Sequence, residues 1–354
     1  MKLLSDTELA RLIEEAGAPD LTGTRYSMVR SVASGGMGQI YLVRDSELGR
    51  EVALKVMNFP EVTEELAGRM LREARIIARL EHPGIVPVHD VGRLPDGRIF
   101  FTMKYVQGHR LDEYINEKLT VAELVRCFLP MSEAVAFAHS KGVIHRDLKP
   151  ENIMVGPFGE VLVMDWGIAK FGQDDSADGT QRAPISKESD ISDETRANSD
   201  GLCGTDGHQV VTGAGAVLGT PQFMSPEQAA GNVPEIGKPS DVYGLGAVLY
   251  YMLTGQPPQS DRGSVHWGTG REAIPTPLRA ICEKCLAADP QSRYPSAAEL
   301  SADIRNFLDE QAVSAYTESL LERMARWVSK NRFLVILVAA YMLMRLLVLF
   351  FSHR

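Results

Sequence analysis

The alternation of apolar and polar residues divides the chain into two regions with different predicted secondary structure. From Tyr26 to about Gly108, short runs rich in Val, Ile, Tyr and Phe alternate with turns such as 45–49, and one helical stretch, 64–80, interrupts them. After Arg110 the apolar residues recur every three or four positions, which is typical of amphipathic helices. One predicted helical face carries Leu124, Phe128, Met131, Val135 and Ala138. The pattern predicts an α+β fold, in which a mostly antiparallel sheet with one helix precedes a helical region.

The first 25 residues are predicted to form an N-terminal helical extension. Ser5 and Glu8 have the spacing of a capping box, which would begin a helix that continues to about Ala16. The segment becomes polar before any apolar run reaches the length of a signal peptide. We therefore expect the bulk of the chain not to be secreted.

Residues 172–218 differ sharply in composition from their surroundings. They contain no aromatic residue, nine Ser or Thr, and nine Asp or Glu against three Lys or Arg, which gives a local charge of -6. Such a stretch cannot bury enough apolar surface to offset the entropy lost on ordering, so we expect a disordered acidic insert. Because the insert carries most of the net charge of -9, the acidity of the chain says little about its folded surface.

A long apolar segment near the C-terminus, 333–351, is predicted to be a transmembrane helix. It is interrupted only by Tyr341 and Arg345, and at 1.5 Å per residue it would span about 28 Å, close to the thickness of a bilayer core. A buried amphipathic helix is the alternative, which we disfavour because apolar residues cover all faces. Residues 309–332 before it are predicted to form a juxtamembrane helix. Basic residues are concentrated on that side, which predicts that the long N-terminal part is cytoplasmic and the chain tail-anchored.

Composition narrows the classes of function. The 354 residues are 44% hydrophobic and 23% charged, which is typical of ordered globular domains, and the negative net charge argues against a nucleic-acid partner. Four cysteines, Cys127, Cys203, Cys282 and Cys285, are too few for a disulfide framework in a chain of this length. The Cys282-x-x-Cys285 spacing suits a metal or redox site. We favour a structural core role, because the pair lies on an apolar helical stripe and no second pair accompanies it.

Two separated motifs suggest a site for phosphate groups. Residues 33–41 form a glycine-rich segment between two strand-like runs, where glycines let backbone amides approach a phosphate without obstruction by Cβ atoms. A simple turn explains this segment equally well. Lys55 then lies in an apolar strand-like run, where an ammonium group is costly unless it is paired. Glu73, eighteen residues later in the predicted helix, is the candidate partner.

The most specific motif is residues 143–154, which read Val-Ile-His-Arg-Asp-Leu-Lys-Pro-Glu-Asn-Ile-Met. Together with the preceding motifs and Asp165-Trp166-Gly167, and in this order, it closely resembles the eukaryotic-type (Hanks-type) Ser/Thr protein kinase family, in the style of its bacterial membrane-anchored members. The resemblance covers about residues 26–308. It implies a bilobal kinase domain with a small β-rich N-lobe with one helix and a larger α-helical C-lobe, which meet at a nucleotide cleft.

The resemblance implies catalytic roles for four residues. Asp147 would accept the proton of the substrate hydroxyl, and Lys149 would steady the transferring phosphoryl group. Lys55, held by Glu73, would contact the α- and β-phosphates of ATP.

The same resemblance implies ATP and Mg2+ as cofactors, with Mn2+ as an alternative ion. Asn152 and Asp165 would bind the metal, since amide and carboxylate oxygens suit hard cations. Met103 resembles the gatekeeper beside an adenine-facing hinge at 104–106. The residues implied to bind the nucleotide are Val32, Ala33, Ser34, Gly35, Gly36, Met37, Gly38, Ile40, Ala53, Lys55, Met103, Tyr105 and Val106.

The chain departs from the family pattern at several positions. Ala33 replaces the first glycine of the loop, Trp166 replaces the usual Phe, and Ser225 replaces Ala in Ser225-Pro226-Glu227. The acidic insert lengthens the activation segment, where Thr212 is our preferred phosphorylation site. Residues 255–274 are short and polar, which puts in doubt the helix that often docks protein substrates.

Two fold-keeping contacts are also expected from the resemblance. Glu227 should pair with Arg293, and Asp241 should tie the backbone of the catalytic loop to the following helix.

Three functions are weighed. A membrane-tethered Ser/Thr protein kinase that also phosphorylates itself is favoured, because all six catalytic positions hold competent residues. An ATP-binding pseudokinase scaffold, blocked by the acidic insert, and a small-molecule kinase of related fold are the alternatives. The expected partners are protein substrates, the lipid membrane and a second copy for trans-autophosphorylation. The expected location is the cell membrane, single-pass, with the kinase domain cytoplasmic.

Overall fold

The chain forms two compact units. The computed structural model describes residues 18–35, 38–57, 68, 71, 74–115, 119–166, 221–258, 260, 261, 264, 265, 267 and 274–352. The first unit contains the described residues up to Ile76 and the segment Val88–Tyr105. The second contains Ile77–Pro87, Val106–Trp166 and the described residues from Pro221 onwards. The chain thus enters the second unit at Ile77, returns to the first at Val88 and enters the second again at Val106.

The first unit is built on a five-stranded antiparallel sheet with the strand order β1-β2-β3-β5-β4. Its strands are β1 (Tyr26–Gly35), β2 (Gly38–Asp45), β3 (Arg50–Met57), β4 (Val88–Arg93) and β5 (Ile99–Lys104). One hydrophobic cluster of the sheet consists of Tyr26, Tyr41, Val43, Val52, Leu54, Val56, Leu94 and Phe100. The antiparallel sheet expected from the alternating pattern is confirmed.

The central strand β3 is buried along most of its length, since each of its last six residues is at most 7% exposed. This burial on both faces explains why its sequence is a continuous apolar run instead of an alternating one. Lys55 is the one charged residue in that run, and only 7% of it is exposed. Residues 74–77 are helical and the chain turns at 78–79, so the described part of the predicted helix 64–80 ends slightly before the predicted boundary.

The second unit is mainly helical. Its helices are α1 (Leu111–Tyr114), α2 (Val121–Ser140), α3 (Pro226–Ala229), α4 (Lys238–Thr254), α5 (Thr276–Cys285), α6 (Ala297–Leu308), α7 (Leu320–Lys330) and α8 (Arg332–Ser352). A small antiparallel sheet joins β6 (His109–Arg110), β7 (Ile153–Val155) and β8 (Val161–Val163). In the polar region 255–274, the described residues include a short hairpin of β9 (Ser260–Asp261) and β10 (Ser264–Val265).

The predicted apolar face of α2 is confirmed, because all five of its residues are at most 1% exposed. The helix begins with a capping box, in which the Glu123 amide donates to Thr120 Oγ1 (3.3 Å) and the Thr120 amide donates to Glu123 Oε2 (2.8 Å). It contacts α6 through a buried hydrogen bond from Ser301 Oγ to Ser132 Oγ (2.9 Å). The helix therefore serves as a central support of the second unit.

The Cys282-x-x-Cys285 pair lies in the core between α4 and α5. Both cysteines are fully buried, and Cys282 Sγ donates to the Gly246 carbonyl at 3.5 Å. A Cβ atom added at Gly246 would lie 2.4 Å from Cys285 Cβ, so the two helices approach closely at this point. Burial raises the pKa of both thiols. The interpretation as structural core cysteines is confirmed.

The C-terminal part corrects one prediction. The expected juxtamembrane helix 309–332 is shorter: residues 309–319 are not helical, and α7 begins at Leu320. Asp303 on α6 accepts hydrogen bonds from the backbone amides of Ser314 and Ala315, which holds the chain in a non-helical path. Ser319 then caps α7 through the Glu322 amide. The predicted span 333–351 lies within α8.

Candidate active site

The catalytic loop is fixed to the core of the second unit by Asp241 at the start of α4. Its carboxylate, which is 2% exposed, accepts hydrogen bonds from the backbone amides of His145 (2.7 Å) and Arg146 (2.8 Å). His139 at the end of α2 places its Nε2 2.8 Å from the same carboxylate. The predicted role of Asp241 is confirmed, and the structure adds His139 as a second support of that carboxylate.

His145 connects the two ends of the predicted site. Its Nδ1 accepts from the Asp147 amide (3.2 Å), so the proton resides on Nε2, which donates to the Met164 carbonyl (2.8 Å). The imidazole packs against the buried Trp166, with the ring centroids 4.7 Å apart and the ring planes tilted by 55°. Burial lowers the pKa of His145 and so favours the neutral ring that both contacts require. One side chain thus links the backbone of Asp147 with the residue before Asp165.

Asp147 is held by two neighbouring side chains of its own loop. Asn152 Nδ2 donates to the Asp147 carbonyl (2.7 Å) and to its Oδ2 (3.0 Å), and Lys149 Nζ lies 3.3 Å from the same Oδ2. The Asn152 carbonyl accepts from the Met164 amide (2.8 Å), which ties this loop to the segment after β8. The structure therefore brings Asp147, Lys149 and Asn152 together as the sequence motif predicts.

Arg146 and Asp165 both have left-handed backbone conformations, with φ angles of 66° and 55°. Such angles are uncommon outside glycine and asparagine, and they cost free energy unless the surroundings impose them. At Arg146 the amide is held by Asp241 and the carbonyl accepts from Gln228 Nε2 at 2.9 Å. These contacts fix the backbone immediately before Asp147.

The second unit offers suitable ligands for a divalent cation. Because Asn152 Nδ2 is the donor in both contacts with Asp147, its amide oxygen is the atom suited to a metal, and Asp165 supplies a carboxylate. Both are oxygen ligands of the type that Mg2+ prefers. Among the described residues, no group of three or more His, Cys, Asp or Glu could hold a metal by itself. The residues fit an ion that completes its coordination with water and phosphate oxygens.

The first unit contains the predicted phosphate-contacting residues. β1 and β2 pair up to Gly35 and Gly38, so the glycine-rich segment forms the end of a hairpin. A Cβ atom at Gly38 would lie 2.3 Å from the Val56 carbonyl oxygen, which gives this glycine a packing reason as well. Lys55 pairs with Ile40 and Phe101 across neighbouring strands. Gly36, Met37 and Glu73 lie outside the described residues.

The predicted adenine-facing residues lie on neighbouring strands and on the segment after β5. Ala53 and Met103 face each other in the register of β3 and β5, and both are buried. The Tyr105 hydroxyl accepts from Arg30 Nη2 at 2.8 Å. Val106, where the chain re-enters the second unit, is 8% exposed. Val32, Ala33 and Ser34 on β1 are exposed.

The segment around α3 contacts the catalytic loop through Gln228. Glu227 and Arg293 make a bidentate pair with two distances of 2.8 and 2.9 Å, which confirms the predicted contact. Burial alone would raise the pKa of Glu227, but hydrogen bonds from Arg293 and Ser240 outweigh it and lower the pKa to about 2. The next residue, Gln228, accepts from the Ser225 amide (3.2 Å) while it donates to the Arg146 carbonyl.

Three residues of this network were missed by sequence reasoning. His139, His145 and Gln228 each hold the catalytic loop through one side chain. His145 lies inside the recognised motif and Gln228 directly follows a recognised segment, so their positions gave a signal. His139 carried none, because a histidine at the end of an amphipathic helix has no distinguishing pattern.

The comparisons with known proteins agree with this arrangement. The family described as "Protein kinase domain" matches residues 26–333. The chain is 32% identical over 332 residues to the serine/threonine-protein kinase PknD of Protochlamydia amoebophila, which covers 84% of this chain and 31% of that protein. It is 34% identical over 320 residues to PknD of Chlamydia muridarum, covering 81% and 32%. The chain therefore spans about a third of the length of these curated relatives.

Solved structures share the fold. The kinase domain of Mycobacterium tuberculosis PknI matches with a TM-score of 0.55 and 24% identity, covering 81% of this chain and 96% of that domain. A double mutant of the same domain matches with a TM-score of 0.58, covering 82% and 98%. The small sheet unit, the helical unit and the matched sequence lead to one assignment: the chain has the bilobal protein kinase fold and belongs to the protein kinase domain family.

Proposed function

We propose that this chain is a Ser/Thr protein kinase that transfers the γ-phosphate of ATP to Ser or Thr hydroxyls of proteins. The observation that carries the proposal is the position of Asp147, whose carboxylate contacts Lys149 and Asn152 while Asp241 holds the backbone before it. The similarity to curated Ser/Thr protein kinases supports the same reaction.

In the proposed reaction, Asp147 orients the substrate hydroxyl and accepts its proton. The hydroxyl oxygen forms the new bond to the γ-phosphorus, the bond from that phosphorus to the bridging oxygen breaks, and ADP leaves with the electron pair. Lys149, 3.3 Å from Asp147, supplies positive charge where the phosphoryl group passes. Its ammonium group would thereby stabilise the negative charge on the oxygens of the transferred phosphoryl group.

We assign the nucleotide and the metal to separate sets of residues. We assign the phosphates of ATP to Lys55 and the glycine-rich segment, the adenine to the surroundings of Ala53 and Met103, and the metal to Asn152 and Asp165. Asn152 and Asp165 would hold Mg2+, which would supply positive charge to offset that of the phosphates. The register of the sheet supports this assignment, because Lys55 on β3 pairs with Ile40 of the glycine-rich segment.

The test is a phosphorylation assay of the purified full chain with Mg-ATP labelled at the γ-position and a generic protein substrate. We expect Asp147→Asn to lose at least about 1,000-fold in rate, since it keeps the size of the side chain and removes the base. Asp309→Asn is the matched control, because it makes the same change at an exposed position after α6. Equal rates for Asp147→Asn and the unchanged chain would overturn the assignment.

The pseudokinase alternative gives a different result in the same experiment. A scaffold would bind Mg-ATP, seen as a raised melting temperature, without labelling any protein. Binding that is lost in Lys55→Met, together with labelling that is lost in Asp147→Asn, supports the kinase over the scaffold.

We further propose that the chain phosphorylates itself within residues 172–218, with Thr212 as the preferred acceptor. This segment lies outside the described residues, and the proposal rests on its hydroxyl groups and on the basic Arg146 beside Asp147. Mass spectrometry after incubation with Mg-ATP should find phosphate there. A second copy would act in trans, so the extent should depend on protein concentration.

Membrane tethering is proposed from α8. Among the described residues, only this helix is long and apolar enough to cross a membrane, and its large apolar side chains are exposed. Its 21 residues extend about 31 Å, close to the thickness of a hydrocarbon core. We propose a kinase domain at 26–308 on the cytoplasmic side and a single span at 333–351. Protein substrates and the lipid bilayer are the proposed partners.

A further inference from the structure

α7, which precedes the apolar helix α8, has one strongly apolar face that the protein leaves uncovered. Five large side chains on this helix are between 42% and 79% exposed. They are Leu320, Leu321, Met324, Trp327 and Val328. At 3.6 residues per turn they fall within an arc of about 120° on the helix surface. Exposed apolar residues that share one face indicate a surface with a partner.

The opposite face of α7 is already occupied by the protein. Arg326 pairs with Glu318 at 2.6 Å, and the Tyr316 hydroxyl donates to Glu322 at 2.9 Å. Both contacts come from the segment just before the helix, which Asp303 in turn ties to α6. The apolar face is therefore directed away from the segment that joins α7 to α6.

The position of α7 along the chain limits what can cover this face. Only Asn331 separates α7 from α8, so an inserted α8 would place the end of α7 at the surface of the bilayer. Arg323 and Lys330 lie beside the apolar arc and are exposed, as is Arg332 at the start of α8. Two exposed cations at one edge of the apolar face, followed by a third at the start of α8, complement anionic lipid headgroups.

We propose that α7 lies in the headgroup region of the bilayer, with its apolar face toward the acyl chains and its basic edge toward anionic headgroups. The proposal rests on the proposed insertion of α8 and adds a second, interfacial contact to it. The bilayer surface is favoured over a protein partner because the C-terminal end of α7 joins α8 through Asn331 and the exposed cations Arg323 and Lys330 complement anionic lipids.

Trp327 provides the probe. The full chain is reconstituted in nanodiscs, one copy per disc, that contain phosphatidylcholine and phosphatidylglycerol brominated either near the headgroup or near the end of the acyl chain. The fluorescence of Trp327 is obtained by subtracting the emission of Trp327→Phe from that of the unchanged chain. We expect shallow bromine to quench this emission about twofold more than deep bromine does.

Two variants on the apolar face serve as a matched pair. Met324→Glu places a charge in the centre of that face and should abolish the quenching, whereas Met324→Leu should preserve it. Circular dichroism checks that both variants keep their helix content. Replacing phosphatidylglycerol by phosphatidylcholine should weaken the quenching, as should the double variant Arg323→Gln/Lys330→Gln.

Each contrary outcome identifies a different error. Unquenched Trp327 would place α7 in water, and stronger quenching by deep bromine would make it part of the span. Shielding from water only when two copies share a disc, without quenching by bromine, would identify a second copy as the partner. Any of these overturns the proposal while leaving α8 inserted, which flotation with vesicles after an alkaline wash measures separately. Failure to float would overturn the proposed span together with the interfacial helix.

Discussion

His145 shows how one neutral imidazole can organise a catalytic loop. Its two ring nitrogens have opposite roles, since one accepts from the Asp147 amide and the other donates to the Met164 carbonyl. A protonated ring could donate from both nitrogens but accept at neither. Protonation would therefore break the contact with Asp147, and the lowered pKa of the buried ring opposes that change.

This arrangement predicts how stability depends on pH. The pKa of His145 in the folded chain lies below the ordinary value of 6.5, so the unfolded chain binds a proton first as the pH falls. The stabilising contribution is complete above pH 6.5 and is lost as the pH falls through the folded pKa. In that window the free energy of unfolding should fall by up to about 1.4 kcal/mol per pH unit.

Urea unfolding of the unchanged chain and of His145→Gln between pH 7 and 5 measures the contribution of His145 to the free energy of unfolding. The variant should be less stable at pH 7, and the difference should shrink towards pH 5. His109→Gln, at an exposed position on β6, is the control. A difference that stays constant over this range would contradict the role of His145.

Gln228 is a positioning residue whose effect can be separated from binding. Its Nε2 donates to the Arg146 carbonyl, and its Oε1 accepts from Ser225. Gln228→Glu keeps the acceptor and the shape but removes the donor. We expect kcat to fall by roughly tenfold, the equivalent of one lost hydrogen bond, with KM for ATP unchanged. Steady-state kinetics measure both, with the exposed Gln291→Glu as control.

At the scale of elements, the buried pair between Glu227 on α3 and Arg293 joins two segments distant in sequence. Both side chains are at most 3% exposed, and Arg293 also donates to the carbonyls of Ala287, Ala288 and Pro239. Removing one partner would leave the other charge buried and unpaired. The free-energy cost of that buried charge exceeds the net stabilisation that the intact pair provides.

We therefore predict that Glu227→Gln lowers the free energy of unfolding at pH 7 by about 3 kcal/mol. The low pKa of about 2 implies that this contribution is present above pH 4.5 and is lost as the pH falls towards 2. Denaturant unfolding at pH 7 and pH 4 should show that the free energy of unfolding falls less on acidification in Glu227→Gln than in the unchanged chain. The double variant Glu227→Leu/Arg293→Met should be less destabilised than either single change, and additive losses would argue against a coupled pair.

Elements differed in how well the sequence predicted them. The face of α2 followed directly from its 3.6-residue period, and the strands from short apolar runs between turns. The boundary of α7 did not, because residues 309–319 are compatible with a helix and are prevented from forming one by hydrogen bonds to Asp303. A hydrogen bond to a side chain of the preceding helix leaves no mark on the periodicity of the segment that it holds.

For the whole molecule, the sequence identified the candidate catalytic residues better than the residues that hold them in position. Asp147, Lys149 and Asn152 could be recognised because a dense motif carries them. His139 could not, since its contact with Asp241 joins residues about a hundred positions apart. Long-range hydrogen bonds of this kind depend on how helices pack, which a single sequence does not display.

The proposed anchor can be tested on the full chain. Val338→Arg/Met342→Arg would add two cations near the middle of α8, each costing about 3 kcal/mol on insertion, in addition to Arg345. We expect the protein to move from the carbonate-resistant membrane pellet to the soluble fraction while phosphorylation of a soluble substrate persists. Val338→Leu/Met342→Leu should remain in the pellet, and pelleting of the arginine variant would argue against the span.

The burial of Cys282 and Cys285 has a practical consequence for labelling. Both thiols are inaccessible and their pKa values are raised, and burial likewise raises the pKa of Cys127 to about 11. Reagents such as maleimides attack thiolates, so these three native cysteines should react slowly at neutral pH. A fluorophore could then be attached to a cysteine introduced at Phe158, which is 95% exposed in the turn between β7 and β8, once Cys203, outside the described residues, is replaced by serine.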